Sequence, residues 1–520
     1  MDFSFSSYIQ LIAFLILLSG VAFIRKLKTT TVPVPEPEGA WPLIGHLHLL
    51  TAKEPACKIL GAIADKCGPI FSLRFGINKI VVVSGQELVK QCFTTNDVVF
   101  ANRASIAAGK HMGYNNAILA LAPYGQYWRD LRKLATLQLF SNHRLELLKP
   151  IILSEINIFL KDLYLDYNNN NTNAINISKM FEMLTFNISL RMVVGKRFCS
   201  SKYSDENSEA WRYKKAIEEA LYLSGTFVLS DAIPWLEWVD YGGYISAMKM
   251  NSKELDTVIE AWLDEHISKK EKVNGESESE SDFMDVLLSN IDEEAVMSGH
   301  SRPTVIKATS MILILTGAGS TAVTLTWILS LLLNNPKVLK AAQEEIDKQV
   351  GTSKWVEESD IQNLKYLQAI VKETLRLYPP GPLTGIREAT EDCYIGKYHI
   401  SKGTRLFVNL WQLHRDPQVW EDPGEFWPER FLTTHAHVDV KGQNFELIPF
   451  ISGRRSCPAI NFGLQLVHIA LARLIQGFDL ATVDGLAVDM KEGVGVDLPK
   501  VDPVEVIVKP RLGFELYNCL

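Results

Sequence analysis

Between Ala308 and Leu333 the chain runs for 26 residues without a charge. As a helix rising 1.5 Å per residue, such a run is about 39 Å long, enough to cross a bilayer. The rest of the chain must therefore either flank a membrane span or build an interior wide enough to hide it. Composition favours the interior: Thr309, Ser310, Thr316, Ser320, Thr321, Thr324, Thr326 and Ser330 are eight hydroxyls within the run, and Gly317 and Gly319 lower its helix propensity. The run reads as a long helix through a large core, with polar groups facing an internal cavity. A chain of 520 residues, 47% hydrophobic and 22% charged, can bury such a core. Disorder, collagen and coiled coil are excluded at this level.

The charge balance narrows the partners. Lys and Arg number 53 against 60 Asp and Glu, a net charge of -7, so the basic excess that nucleic-acid binding requires is missing. Seven cysteines (Cys57, Cys67, Cys92, Cys199, Cys393, Cys457, Cys519) are too few and too scattered for a disulfide framework, and no CxxC pair nucleates a zinc site. They fit a reducing compartment.

From Tyr8 to Ile24 the chain is almost wholly apolar, with Arg25, Lys26 and Lys28 following. A cleaved signal peptide would carry its charges before the run; here they come after, the pattern of a membrane anchor with the body on the cytosolic side. The sequons at Asn170, Asn176 and Asn187 are silent there. Pro33, Pro35, Pro37, Gly39, Pro42 and Gly45 then favour a stiff, extended linker. Residues 1–30 are read as an anchor, 31–45 as a proline-rich hinge and 46–520 as a single catalytic domain, since no internal repeat or second linker of comparable length follows.

The body is expected to be mainly α with a smaller β-rich portion. Helical spacing marks Trp211–Leu223, Glu254–Lys270, Pro336–Val350 and Ile361–Tyr378. Strand-like pieces are Ile70–Phe75, Ile80–Val83, Tyr394–Ile400, Arg405–Val408 and Val504–Val508. The Asn168–Asn171 and Glu276–Asp282 runs read as exposed loops between helices.

Two motifs mislead. Gly317-Ala-Gly319-Ser-Thr-Ala322 imitates a dinucleotide fingerprint, but no second strand ending in an acid follows it. The pairs His46/His48 and His435/His437 suggest no third metal ligand nearby and are read as loop histidines. The stronger signal is Phe450-Ile-Ser-Gly-Arg454-Arg455-Ser-Cys457-Pro-Ala459, a cysteine behind two arginines where a helix begins, a setting that favours thiolate. Taken alone, that cysteine is equally a core residue, a redox sensor or a ligand.

This loop resembles the haem-ligating loop of the cytochromes P-450, and three further signatures stand in that family's order. Trp128-Arg-Asp-Leu-Arg132 resembles its WxxxR, Glu373-Thr-Leu-Arg376 its ExxR, and Pro428-Glu-Arg430-Phe431 its PERF segment. The resemblance covers essentially the whole chain and is greatest to plant, endoplasmic-reticulum members of the eighty-second family, echoed in His111-Met-Gly-Tyr114-Asn, Ala122-Pro-Tyr-Gly125 and Phe445–Pro449.

The resemblance implies the P-450 fold, with haem b between the long central helix and the cysteine loop, Cys457 as the iron's thiolate ligand, and Trp128, Arg132, Arg387, Phe450 and Arg455 as cofactor-binding residues. Glu373, Arg376 and Arg430 are expected to hold the loop in register. Electrons would come from NADPH through a flavoprotein reductase, docked at a basic patch of Arg129, Lys133 and Arg454. Ser320 and Thr321 are the expected catalytic hydroxyls, although Gly319 stands where the family usually has an acid and Ser320 where it has a threonine. The implied function is a monooxygenase, single-pass in the endoplasmic reticulum membrane, acting on a small lipophilic specialised metabolite. The reading leans to an alkaloid oxidised beside nitrogen, with cyclisation as in tropinone formation. A terpenoid or phenolic hydroxylase, a reductase-independent isomerase or lyase, and a non-catalytic haem sensor are the alternatives. The substrate cavity is expected to draw on Ile106–Leu121, the 312–321 helix segment, Leu383–Ile386 and the chain near Leu498.

Overall fold

A computed structural model describes residues 32–50, 54–170, 174–197, 209–272, 282–292, 296–297 and 299–520. The anchor expected at 1–30 lies outside them, as do residues 276–281 of the acidic serine run.

The charge-free run becomes the axis of the fold. It is the middle of a 33-residue helix, Arg302–Asn334, that starts with Pro303 in its first turn and stops at Asn335 before the next proline. In chain order the principal helices are α1 (Gln126–Leu134), α2 (Asn142–Asn170), α3 (Ile177–Val194), α4 (Glu209–Ser224), α5 (Tyr244–Lys272), α6 (Arg302–Asn334), α7 (Pro336–Gln349), α8 (Lys365–Leu377) and α9 (Ile460–Gly477). Helices α3, α5, α7, α8 and α9 all pack on α6. Among the described residues α6 is the one helix long and apolar enough to cross a membrane, yet 61% of its most apolar window is buried inside the protein. Its hydroxyls are accommodated largely by the helix itself: Thr316, Ser320, Thr324 and Ser330 each donate to the carbonyl four residues back, at 2.7–2.8 Å.

Strands β1 (Ile70–Phe75), β2 (Asn78–Val83), β3 (Asn102–Arg103), β4 (Ile175–Asn176), β5 (Arg387–Glu388), β6 (Cys393–Ile395), β7 (Tyr398–Ile400), β8 (Arg405–Val408), β9 (Phe478–Thr482) and β10 (Glu505–Pro510) make up most of the β portion, beside a short pair at Val296–Met297 and His300–Ser301. A five-stranded sheet runs β1-β2-β8-β5-β3, with only β2 and β8 parallel. Alternation along β1, β2 and β8 sends Ile70, Val81, Val83, Leu406 and Val408 to one apolar cluster. Phe71, Leu73, Ile80, Val82 and Phe407 go to another on the opposite face. The proline segment lies along this sheet: Ser72 N–H donates to the Pro35 carbonyl at 2.7 Å.

Several expected elements shift. The 361–378 helix breaks, with a short turn at Glu358–Ile361 and α8 from Lys365, because the Glu345 carboxylate of α7 accepts the amides of Tyr366 and Leu367 at 2.8 and 3.0 Å and so caps α8. The expected strand at 394–400 is the hairpin β6–β7, turning at Gly396 with φ 58°. Asn168–Asn170 are not a loop but the last turn of α2. His46 and His435 make structural hydrogen bonds, to the Pro37 and Val419 carbonyls at 3.0 and 3.2 Å.

Candidate active site

The cysteine loop is shaped by two residues with positive φ, Ile451 (63°) and Gly453 (72°). A Cβ on Gly453 would stand 2.3 Å from Asp97 Oδ1, so only glycine fits. The loop closes with Cys457 N–H donating to the Phe450 carbonyl at 3.0 Å, and α9 begins three residues later. The two preceding arginines do not serve the sulfur as expected. Arg454 turns to Asp97, while Arg455 turns away to the carbonyls of Ala101 (2.8 Å), Leu119 (3.2 Å) and Ala122 (2.6 Å). Burial pushes the Cys457 thiol up, and the Ala459 amide and the Arg132 charge only partly oppose it. A thiolate here needs a further cation beside it.

Beneath the loop, Glu373 and Arg376, three apart on α8, form a two-pronged pair at 2.7 and 2.8 Å. Arg430 joins at 3.1 Å and the Trp427 amide at 3.0 Å. The guanidiniums also hold the carbonyls of His414, Pro423, Glu425 and Glu421 at 2.8–3.0 Å. Glu373, Arg376 and Arg430 are fully buried. Exposed ion pairs of this kind contribute little; this one ties α8 to the segment leading into the cysteine loop.

Four other guanidiniums converge, and among the described residues no carboxylate pairs with them, although the Asp97 charge acts on Arg387. Arg455 lies over the Trp128 ring at 4.4 Å, and Arg132 reaches the Ser456 carbonyl and, at 3.3 Å, its hydroxyl. Arg387 and Arg103 are directly opposite each other in the β3–β5 pairing, an arrangement that like charges disfavour. Sequence reasoning passed over Arg103, which has no motif around it. Among the described residues none of the four has an ion-pair partner, and Arg387 keeps Nε and Nη2 buried without a hydrogen bond. Burial and mutual repulsion pull Arg455 down to about 8 and Arg387 to about 9, and burial alone pulls Arg103 to about 10. All three remain cationic at neutral pH, so this cradle is complete only with an anion in it.

Opposite the loop stands α6. Thr316, Gly317, Ser320, Thr321 and Thr324 face Cys457, Phe450 and Phe462 across a cavity of about 920 Å³ including its mouth. Ser320 donates to the Thr316 carbonyl at 2.8 Å, and Thr321 is buried. Gly317 allows α3 to approach, its missing Cβ falling 2.8 Å from Ser189 Oγ. Thr316 also opens into a larger chamber of about 1550 Å³ whose lining draws on Ile106, Ile118, Leu121, Ile312, Leu383 and Ile386. The C-terminal segment contributes Gly495 and Val496 to it, whereas Leu498 is turned into the core.

A cysteine at the mouth of a helix, a hydroxyl-lined helix over it and an arginine cradle seeking an anion define the architecture of a haem-thiolate enzyme. Residues 35–501 match the cytochrome P-450 family, and the chain belongs to it. It is 52% identical to a dimethylnonatriene synthase of Arabidopsis thaliana over the whole of both chains. It is 49% identical to a flavonoid-6-hydroxylase of Ocimum basilicum over 95% of this chain and 94% of that one. A xanthotoxin 5-hydroxylase of Arabidopsis thaliana is 47% identical over 99% of each. These are plant relatives of the eighty-second family. The chain is therefore a monooxygenase, and its relatives act on plant specialised metabolites. Membership implies haem and electrons from a redox partner, and the cradle fits the carboxylates of such a cofactor. Nothing in these relatives supports a tropinone-forming assignment.

Proposed function

We propose that this chain is a monooxygenase of the endoplasmic reticulum membrane that oxidises an extended, apolar terpenoid substrate, with Cys457 as the residue that would supply the thiolate ligand of haem b. In this reading residues 1–30 anchor the chain, the proline segment sets the attitude of the body, and the body faces the cytosol. Arg103, Trp128, Arg132, Arg387 and Arg455 would hold the haem carboxylates, and Phe450 lines the same cavity as Cys457. When bound, haem supplies dioxygen activation with two electrons from an NADPH-dependent flavoprotein reductase.

The chamber carries the substrate reading. Its lining is mainly aliphatic, and the charged side chains in it, Arg103 and Asp231, are already engaged with backbone: Arg103 Nε donates to Ala120 at 2.9 Å, and Asp231 accepts the Ala107 amide at 2.7 Å. An apolar guest is thus held by burial and shape, which suits a relative whose name denotes an acyclic triene. Asp231 keeps the amine reading as the second. Burial pushes it up to about 6, so near pH 7 it is a carboxylate able to meet an ammonium.

Exposed Trp235, Trp238 and Tyr241, with Leu43 and Ile77, give the body apolar surface of its own for a bilayer. Arg129, Lys133 and Arg454 are exposed on the side of the cysteine loop, where an acidic reductase would dock.

Binding difference spectra over panels of acyclic terpenoids, phenolics and tertiary amines test the substrate. The expected result is a response to the first panel that Asp231→Asn leaves intact. A response to amines alone, lost in that variant, moves the assignment to the alkaloid. Cys457→Ala is expected to lose the thiolate-type band of the ferrous carbon monoxide complex; a retained band overturns the ligand assignment.

A further inference from the structure

A second face of α6 borders a chamber separate from the cavity over Cys457. Gly319, Ala322, Val323 and Thr326 line it, whereas Thr316, Gly317, Ser320, Thr321 and Thr324 line the cavity at the cysteine. The chamber measures about 1190 Å³ including its mouth, and the two spaces have no lining residue in common. Phe186 of α3, with Ile217 and Leu221 of α4, completes an apolar floor.

The charges in this chamber come from its other walls, and they do not balance. Glu182, Glu218, Asp497 and Asp502 outnumber Lys214 and Lys500 by two. Lys214 is committed to Glu182 and Glu218, and Lys500 Nζ donates to the Asp502 carbonyl at 2.9 Å. Among the described residues no cation pairs with Asp497. Its carboxyl is turned inward: a Cβ on Gly319 would lie 3.2 Å from Asp497 Oδ2, so the bare backbone at Gly319 is what admits it against α6. Burial pushes this carboxyl up, its own amide opposes the shift and the Glu182 charge adds to it, the mark of an acid without a counter-ion.

We propose that this chamber is a second ligand site, taking a small guest with one ammonium group and an apolar body, and that Asp497 is the counter-ion of that ammonium. The body of the guest covers the floor of Phe186, Ala322 and Val323, where burial of apolar surface holds it. Glu182, Glu218 and Asp502 are exposed and give the approach the sign that draws a cation in. Asp497 is fixed before any guest arrives: Trp327 of α6 donates to the Leu498 carbonyl at 2.9 Å, and Gly493 N–H closes on the Pro499 carbonyl at 2.6 Å. Leu221 and Gly495 line both this chamber and the substrate chamber. A guest on one side therefore bears on the wall of the other, and each changes the affinity of its neighbour by the same factor. Asp231, the acid of the substrate chamber, lies outside this site.

Equilibrium dialysis of the full-length, haem-loaded enzyme tests the site directly and does not depend on the substrate reading. The probe is benzyltrimethylammonium, whose charge no pH removes and whose nitrogen has no lone pair for iron; neopentylbenzene is its uncharged isostere. The expected result is saturable binding of the cation, about tenfold weaker in Asp497→Asn, abolished in Val323→Trp, which fills the floor, and unchanged in Asp231→Asn. Retention of the carbon monoxide band identifies the variants that are folded. Saturating cation is also expected to shift the affinity of an acyclic terpenoid read from its difference spectrum, and Val323→Trp to remove that shift. Equal binding of the uncharged isostere, or full affinity in a folded Asp497→Asn and a folded Val323→Trp, overturns the proposal. Loss of binding in Asp231→Asn alone places the cation in the substrate chamber and overturns it as well.

Discussion

Two buried clusters of arginines lie on either side of the cysteine loop, and they differ in whether the chain supplies their counter-charge. Arg376 and Arg430 share Glu373 and fill their remaining donors with carbonyls. Arg103, Arg132, Arg387 and Arg455 share no carboxylate, and two of them face each other across a strand pair. A closed cluster is a clasp: its partners all come from the chain, so it is formed when the chain is folded. An open cluster stores repulsion that only a guest relieves, so it couples folding to binding. The fold thereby separates what holds the cysteine loop from what holds the cofactor.

Glu373→Ala breaks the clasp and carries the largest expected effect. It strands two fully buried guanidiniums, at a cost of about 3–5 kcal/mol. Denaturant midpoints should fall in both the haem-free and the loaded protein. A variant whose midpoint is unchanged would show that the clasp contributes nothing.

Arg387→Met should act with opposite signs on the two forms. In the haem-free chain it removes a buried cation whose Nε and Nη2 are unpartnered, so stability holds or rises. In the loaded enzyme it removes an anion contact, and transfer of haem to an apoglobin acceptor should speed up by about ten- to a hundredfold, since each 1.36 kcal/mol is tenfold. Equal destabilisation of both forms would mean that the cradle is a second clasp.

The clasp was legible through the resemblance: an acid and an arginine three apart on a helix would also suit a surface ion pair, and it is their order with the PERF segment that implied a buried role. The cysteine alone left three readings open and became legible only through the resemblance carried by the order of the four motifs, whereas the long uncharged run pointed directly to the core helix. Arg103 was not, since its meaning comes from facing Arg387, which is 284 positions further along and placed by sheet register. The break before α8 depends on a carboxylate from another helix. Local pattern carries helices and short motifs; contacts between distant segments carry the cradle and the cap.

The smallest expected effect sharpens the contrast through pH. His414 lies under the clasp: its carbonyl accepts from Arg376 at 3.0 Å, and its ring Nε2 accepts the Ile448 amide at 3.0 Å. Burial, and after it the charges of Arg376 and Arg415, push the imidazole down to about 3. The ring is therefore neutral in the folded state, while in the unfolded chain it gains a proton near 6.5. Between those two values the unfolded state binds more protons, so stability is complete above about pH 6.5 and declines as pH falls towards 3, at up to about 1.4 kcal/mol per pH unit. No member of the cradle titrates in that window, since its guanidiniums stay charged throughout. His414→Gln lowers stability at pH 7 through the lost contact but removes this share of the acid slope. Unfolding free energies at pH 7, 6, 5 and 4, with and without haem, check it. The slope should shrink equally in both forms, because the ring senses the clasp and not the guest. An undiminished slope in His414→Gln would assign the acid sensitivity to another group, and a change confined to the loaded enzyme would mean that clasp and cradle are coupled.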